Sequence, residues 1–330
     1  MGAATGTASS VGAERLGHRQ VSRGFATLVA VALLGPSAIG CARRPSRAAE
    51  RTHVAVAPVT FRVPTTAARH VPERCQAIVH AIRPVDARDG STGTAPAAAS
   101  SALPAEALSA DSPERRVVLE ALILGAVDPA RDVSEVLVCF AVSENDVRTV
   151  VVASGSLPGD ALVPTVLATS PGAVRLPLGG FDAVTFYVDD RRWYAAQAAD
   201  GSVVFGDDAP LVASALPISF RGVDVPIPFD APLAIYAEGA AVARAMKAEG
   251  APRALMVALA DARSMTLVAG SSASLRLSYP SPARAAEVAD PVREIVDRRL
   301  DEASRVVARA EGNDVVVDVD SMRFLRGVPW

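Results

Sequence analysis

The sequence predicts an α+β protein built as two split β-α-β-β-α-β, ferredoxin-like, units with mainly antiparallel sheets. Three observations carry that reading. Short β-branched runs and helical periods follow one another in the same rough order on both sides of a proline-rich seam at 221–232. Asp200-Gly201 stands between β-rich flanks at the spacing of a two-residue hairpin turn. Half of the residues (50%) are hydrophobic, mostly alanine and valine, which suffices for a packed core.

In the first half, 54–63 is extended but interrupted by Pro58, so at best an edge strand. Residues 75–82 (CQAIVHAI) are apolar enough for a buried strand, with a short helix as the alternative that period alone leaves open. Residues 84–113 are rich in Ala, Ser, Thr, Gly and Pro without an aromatic, and they read as a disordered insertion that buries too little to offset its ordering entropy. Ser112 then caps a helix with Pro113 in its first position, and Asp128-Pro129 ends it. Val133–Val142 and 147–153 are strands joined at Glu144-Asn145-Asp146. Residues 158–168 read as a helix despite Pro164. Phe181–Val188, 193–199 and 202–206 read as a meander, and 207 onward as a helix with carboxylates at its positive end.

After the seam come a strand at 233–237, a helix at 238–249 and strands at 254–260, 265–269 and 274–278. A long helix is expected over 282–310, with Val288, Val292, Val296, Val306 and Val307 among its apolar positions and Gly312-Asn313 as its stop. Asp314–Val319 alternates as a final strand.

The N-terminal region has a different character. Arg15, Arg19 and Arg23 precede an uncharged run, Phe25 to Leu34, which Gly35-Pro36 breaks before the small residues that lead to Cys41. This is a secretory signal layout, and the run is too short to span a bilayer, which takes about 20 apolar residues. Ala38-Ile39-Gly40-Cys41 resembles the lipobox of bacterial lipoproteins, with Ala38 standing where that family usually has leucine. The resemblance implies a diacylglycerol on the Cys41 sulfur, cleavage just before it and a membrane held through that lipid. With Ala42 rather than aspartate next, it further implies the outer membrane facing the periplasm. The body resembles the Ala/Val-rich envelope lipoproteins of unassigned function, a likeness that brings no active site with it. The expected divisions are a signal peptide at 1–40, a lipidated tether at 41–70 with four arginines against one glutamate in 42–51, a first unit at 71–220 and a second at 221–330.

The leader takes three of the 33 basic and one of the 36 acidic residues, leaving about −5 on the remainder. No clustered basic stretch interleaved with aromatics suggests a nucleic-acid surface. Of three cysteines, Cys75 and Cys139 remain beside Cys41. Export favours a bond between them, and buried free thiols are the competing reading. The usual split-βαβ order opposes the bond. It puts a third strand between the first two, so non-neighbours stand near 10 Å apart, beyond the roughly 7 Å that a disulfide allows. Both expectations hold together only if Cys75 lies off the strand or the sheet order differs.

Chemistry-bearing motifs are sparse. The four histidines are His18, His53, His70 and His80, with none beyond. GxSxG, HExxH, CxxC and the phosphate-cradling glycine loops are absent, so no metal ligand set and no cofactor is expected. Carboxylates pair at Asp189-Asp190, Asp207-Asp208 and Asp318/Asp320, and of these Asp318 and Asp320 share one face of an alternating strand. Trp193, Tyr194, Phe186, Tyr187 and Phe205 concentrate the aromatics in the meander. Trp193 and Tyr194 must face opposite ways, so one of them can mark a ligand face. The apolar tail, Met322 to Trp330, reads as docked on the body. The leading functional expectation is a non-enzymatic envelope lipoprotein that binds a partner or ligand through its sheet surfaces. A periplasmic hydrolase using Asp318 and Asp320 is the alternative.

Overall fold

A computed structural model describes residues 65–82, 132–143, 146–157, 161–188, 191–219, 225–248, 253–269, 272–297 and 306–319. Twelve strands among them hydrogen-bond into one sheet. They are β1 (Ala77–Ile82), β2 (Val133–Val142), β3 (Val147–Gly155), β4 (Val174–Leu178), β5 (Phe181–Val188), β6 (Arg191–Gln197), β7 (Val203–Gly206), β8 (Leu233–Glu238), β9 (Ser264–Ala269), β10 (Ala273–Ser278), β11 (Val306–Glu311) and β12 (Asp314–Val319). Their order across the sheet is β11-β12-β10-β9-β8-β1-β2-β3-β7-β6-β5-β4. Every pairing is antiparallel.

The two expected ferredoxin-like units are therefore not what the chain builds. β1 lies between β2 and β8, so strands from either side of 221–232 share one continuous ladder. Alternation within a strand tells which side chains share a face, but not which strand will lie alongside, and that choice decides between two small sheets and one large one. Gln76 helps to make the junction. Its backbone N–H donates to Phe140 O at 3.0 Å, and its carbonyl accepts from Glu238 N at 2.8 Å.

Four helices cover one face: α1 (Leu162–Thr169), α3 (Gly239–Ala248), α4 (Arg253–Leu259) and α5 (Pro282–Asp297). Leu162, Val163 and Val166 of α1 and Ala285, Val288, Val292 and Val296 of α5 pack with Val79, Val138, Phe140, Phe186, Trp193 and Leu275 into a single core. Pro164 sits in the first turn of α1, where its missing N–H would have had no helical partner. The middle of the other face is covered by the 3₁₀ turn Ala67–His70, by α2 (Ala209–Ala215) and by residues around Ile227 and Phe229. Asp208 caps α2, its side chain accepting from Leu211 N at 2.9 Å. At Gly206 of β7, a Cβ would come within 2.5 Å of Val212 Cγ2 and 2.8 Å of Thr149 O, so only glycine lets α2 lie this close.

Several elements differ from expectation for identifiable reasons. The run 254–260 is helical, as α4, because its Ala, Leu and Met content favours a helix and a short apolar stretch does not reveal its period. The long helix is described from Pro282 to Asp297, and Val306 and Val307 belong to β11 instead. Gly312-Asn313 is a hairpin turn rather than a helix stop, with Gly312 at φ +58° and Glu311 paired to Asp314. β4, unforeseen in the sequence, carries only one buried residue of five. Cys41 with its lipobox, the tether up to residue 64, the strand at 54–63, the insertion at 84–113, the helix begun at Ser112, Asp189-Asp190, Asp320 and the tail from Met322 lie outside the described residues, whereas 65–70, expected as the end of the tether, pack on the sheet with Ala67, Ala68 and His70 buried.

Cys75 and Cys139 are joined, with Cα atoms 5.5 Å apart. Both ways out of the sequence-level conflict are realised. β1 begins at Ala77, which leaves Cys75 off the strand, and β2 is the direct neighbour of β1. The 64-residue separation makes the bond worth about 4 kcal/mol in the chain-entropy account. Cys75→Ser should accordingly lower the unfolding free energy in urea by about 4 kcal/mol and expose the Cys139 thiol to titration, while neither cysteine reacts in the denatured, unreduced parent.

Candidate functional site

The polar residues that the fold gathers are mostly not the ones that the sequence singled out. His70 and His80, noted only as residual histidines, are both fully buried under the sheet's second face, each against a carboxylate. His80 of β1 points to the same side as Ile78, and its Nε2 lies 2.7 Å from Glu135 Oε1 on neighbouring β2. Glu135 also accepts the Ala67 N–H at 3.0 Å on its other oxygen, and it accepts the Thr65 hydroxyl. His70 closes the other end of the 3₁₀ turn. Its Nδ1 is 2.8 Å from Ala215 O at the end of α2, and its Nε2 is 2.9 Å from Asp200 Oδ2 in the β6–β7 turn. Asp200 accepts the Ser202 N–H at 3.0 Å, and the Ser202 hydroxyl meets that of Ser154 on β3 at 2.8 Å.

A threonine, a histidine and a glutamate together invite comparison with a nucleophilic triad. The geometry is wrong for one. Relay chemistry places the acid on one imidazole nitrogen and the hydroxyl on the other. Here Thr65 Oγ1, at 3.3 Å, and Glu135 both meet Nε2, while Nδ1 has no hydrogen-bond partner among the described residues. The ring edge of Phe229, its centroid 5.1 Å from that of His80, packs against the imidazole instead. The cluster is a structural staple that holds 65–70 to the sheet. Among the described residues no group of three or more His, Cys, Asp or Glu is placed to hold a metal.

Burial pushes the Glu135 carboxyl up, but the hydrogen bond and charge of His80, with the bonds from Thr65 and Ala67, outweigh it and leave the group below the usual carboxylate range. Asp200 behaves alike: burial raises it, while His70 and Ser202 bring it down further.

Among the described residues, the sequence-level carboxylates are spoken for. Asp207 accepts the Thr149 N–H at 2.8 Å and an ion pair from Arg191, and Asp208 is the cap of α2. Asp318 accepts the Ser274 hydroxyl at 2.7 Å on one oxygen and pairs with Arg309 on the other. Its neighbour on the same strand, Asp314, holds Ser278 and Arg276 in the same manner, at 2.7 Å each. Val316 stands between the two arginines in register and is 2% exposed, although no described helix covers this face there. The two arginine stems shield it.

The aromatic residues divide as alternation requires. Trp193, Phe186 and Phe205 are buried on the helical side. Tyr194 and Tyr187 face the other way, and Tyr187 is 48% exposed. Arg192 lies across Tyr187, 5.6 Å from the ring centre, and donates to its hydroxyl at 2.8 Å. The second face thus has a covered middle that reaches Leu178, Ala183 and Ala196 of β4–β6, and two open areas at its wings, one around Thr185, Tyr187 and Arg192 and one of alternating arginine, aspartate and serine over β9–β12.

No family model matches the chain, and no curated protein matches it. Solved structures similar to it include crystal forms I, III and IV of TP0453. Form I has 12% identity and a TM-score of 0.43, covering 79% of this chain and 94% of that one. Form III has 12% identity and the same score, covering 96% of its own chain, and form IV has 13% identity and covers 94%. A likeness at that level assigns neither fold nor function.

Because the folded carboxyl of Glu135 titrates below its unfolded value near 4.3, its contribution is complete above that value and disappears as the pH falls through the folded one. Glu135→Gln should cost about 3 kcal/mol at pH 7. Urea midpoints of parent and variant should converge as the pH is lowered from about 4.5.

Proposed function

We propose that the chain is a lipid-anchored protein of the cell envelope that works by binding, offering the open wings of its sheet's second face to a partner or ligand. The observation that carries this reading is the uneven covering of the sheet. One face is sealed by four helices, while the other is covered by the 3₁₀ turn, α2 and the residues around Ile227 and Phe229 and is left open around Tyr187 and Arg192 and over β9–β12. A sheet of this width needs burial along its whole length on one side only. The residues left outside, Tyr187, Arg192, Arg276 and Arg309, are long side chains held in place by neighbours, which lowers the entropic cost of presenting them.

The anchoring half of the reading rests on Arg15, Arg19 and Arg23, the apolar run and the sequence Ala38-Ile39-Gly40-Cys41. No helix among the described residues is long and apolar enough to cross a membrane. Two or three acyl chains on Cys41 would supply a firm hold, since each buried methylene contributes about 0.8 kcal/mol. The binding half is favoured over hydrolysis because both oxygens of Asp318 are already engaged.

Cells expressing the full chain should incorporate labelled palmitate into it, and Cys41→Ser should abolish the label and leave the protein in the soluble or unprocessed fraction. Label that persists in the variant would remove the anchor. The choice of face is checked separately with a photo-crosslinking residue at Tyr187 on the open face or at Val257, 56% exposed on α4. Adducts are expected from Tyr187 and not from Val257.

A further inference from the structure

The two ends of the sheet are built differently. β4 leads into the two-residue turn Gly179–Gly180, so Leu178 bonds to Phe181, and by alternation Leu176 and Val174 also bond inward to β5. The backbone of Arg175 and Pro177 therefore faces outward. Pro177 has no N–H to offer, and Arg175 is charged and donates to Asp182 at 2.7 Å and 2.5 Å. That edge is blunted in the way that protects natural sheets from pairing.

β11 carries charge at Arg309 and Glu311, with Arg309 paired to Glu311 and to Asp318, but it has no proline. Tyr279 N donates to Asn313 O at 2.8 Å, which turns Asn313 toward β10 and its successor Asp314 toward β11. Glu311, Arg309 and Val307 then exchange bonds with β12, and Val306, Ala308 and Ala310 turn their N–H and C=O groups away from the sheet. Among the described residues no strand takes them up. Unlike an exposed side chain, such a row specifies its occupant closely, because what satisfies it is another extended backbone.

We infer that a second copy of this chain pairs antiparallel along β11, with Ala308 opposite itself about a two-fold axis and Val306 opposite Ala310. This register pairs all of 306–310. Centring on Arg309 would set two guanidinium groups face to face, centring on Ala310 would run the pairing into the Gly312 turn, and centring on Val307 would pair only 306–308 among the described residues. In the chosen register the side chains that meet on the helical face are valine and alanine. On the other face Val307, 44% exposed alone, passes under the stem of the opposing Arg309. The charge of Arg309 is met within its own chain by Asp318 and Glu311, so two copies approach without bare like charges. Five residues of edge make a small interface, below the ~1,200 Å² of stable complexes, so the dimer forms and separates readily.

The test uses the full chain with Cys41→Ser, where the Cys75–Cys139 bond leaves an introduced cysteine as the one free thiol. Ala308→Cys should form a covalent dimer under mild oxidant at least ~10-fold faster than Ala310→Cys, whose two thiols stand about 13 Å apart in this register. Ala308→Pro removes an outward N–H and leaves the β12 ladder intact, so it should keep the fold while abolishing the rise of sedimentation coefficient with concentration. Equal cross-linking of the two cysteines, faster cross-linking at Ala310, or a parent that sediments as a monomer at every concentration would each overturn the inference.

Discussion

Everything else in this sheet depends on β1 having a neighbour on each side. It pairs with β2 through six residues and with β8 through five, and these ladders are the junction between the β2–β7 run and the β8–β12 run. Both faces of β1 are buried as well, from Ala77 to Ala81. A backbone hydrogen bond contributes only about 1 kcal/mol net, whereas a buried donor or acceptor left without one costs about 1–3 kcal/mol. Removing β1 would open two buried edges at once, which is why the segment before it is held so firmly. The disulfide, the Glu135 cluster and the contacts of His70 all act within a dozen residues of its start.

The same cluster explains the shape of the surface. A buried carboxylate is tolerable only when its hydrogen bonds are filled, so Glu135 needs Thr65, Ala67 and His80 over it. Those partners roof the middle of the second face and nothing more. Out at the wings the strands carry hydroxyls, arginines and aspartates that satisfy one another across the ladder and need no roof. The covered part of this face is an apolar cluster that encloses two histidine–carboxylate pairs, and its exposed margins are polar, so the apolar-in, polar-out rule is broken only at those pairs.

What the chain shows in its letters is what lies within a strand's or helix's own length. Val133–Val142 and Phe181–Val188 stand where their β-rich composition put them and Asp314–Val319 where its alternation did, and Asp208 caps the helix that follows it. Period failed where two templates fit the same residues, as at Arg253–Leu259 and at Val306-Val307. Partnership across distance was not legible at all. His80 and Glu135 are 55 positions apart, and His70 and Asp200 are 130 apart, with nothing in either neighbourhood to announce the other. The cysteines came nearest, because their chemistry restricts how far apart they can be, and the tension between that distance and the expected strand order was a true sign that the order was wrong.

The bond between Cys75 and Cys139 also turns residues 75–139 into a covalent ring that β1 and the start of β2 both belong to. Residues 83–131 lie within that ring. A single peptide cleavage anywhere within it opens the ring without dividing the molecule. β1 would stay threaded between β2 and β8, and the two pieces would part only on reduction. The strand at the centre of the sheet thus keeps a covalent tie to β2 that does not run through residues 83–131.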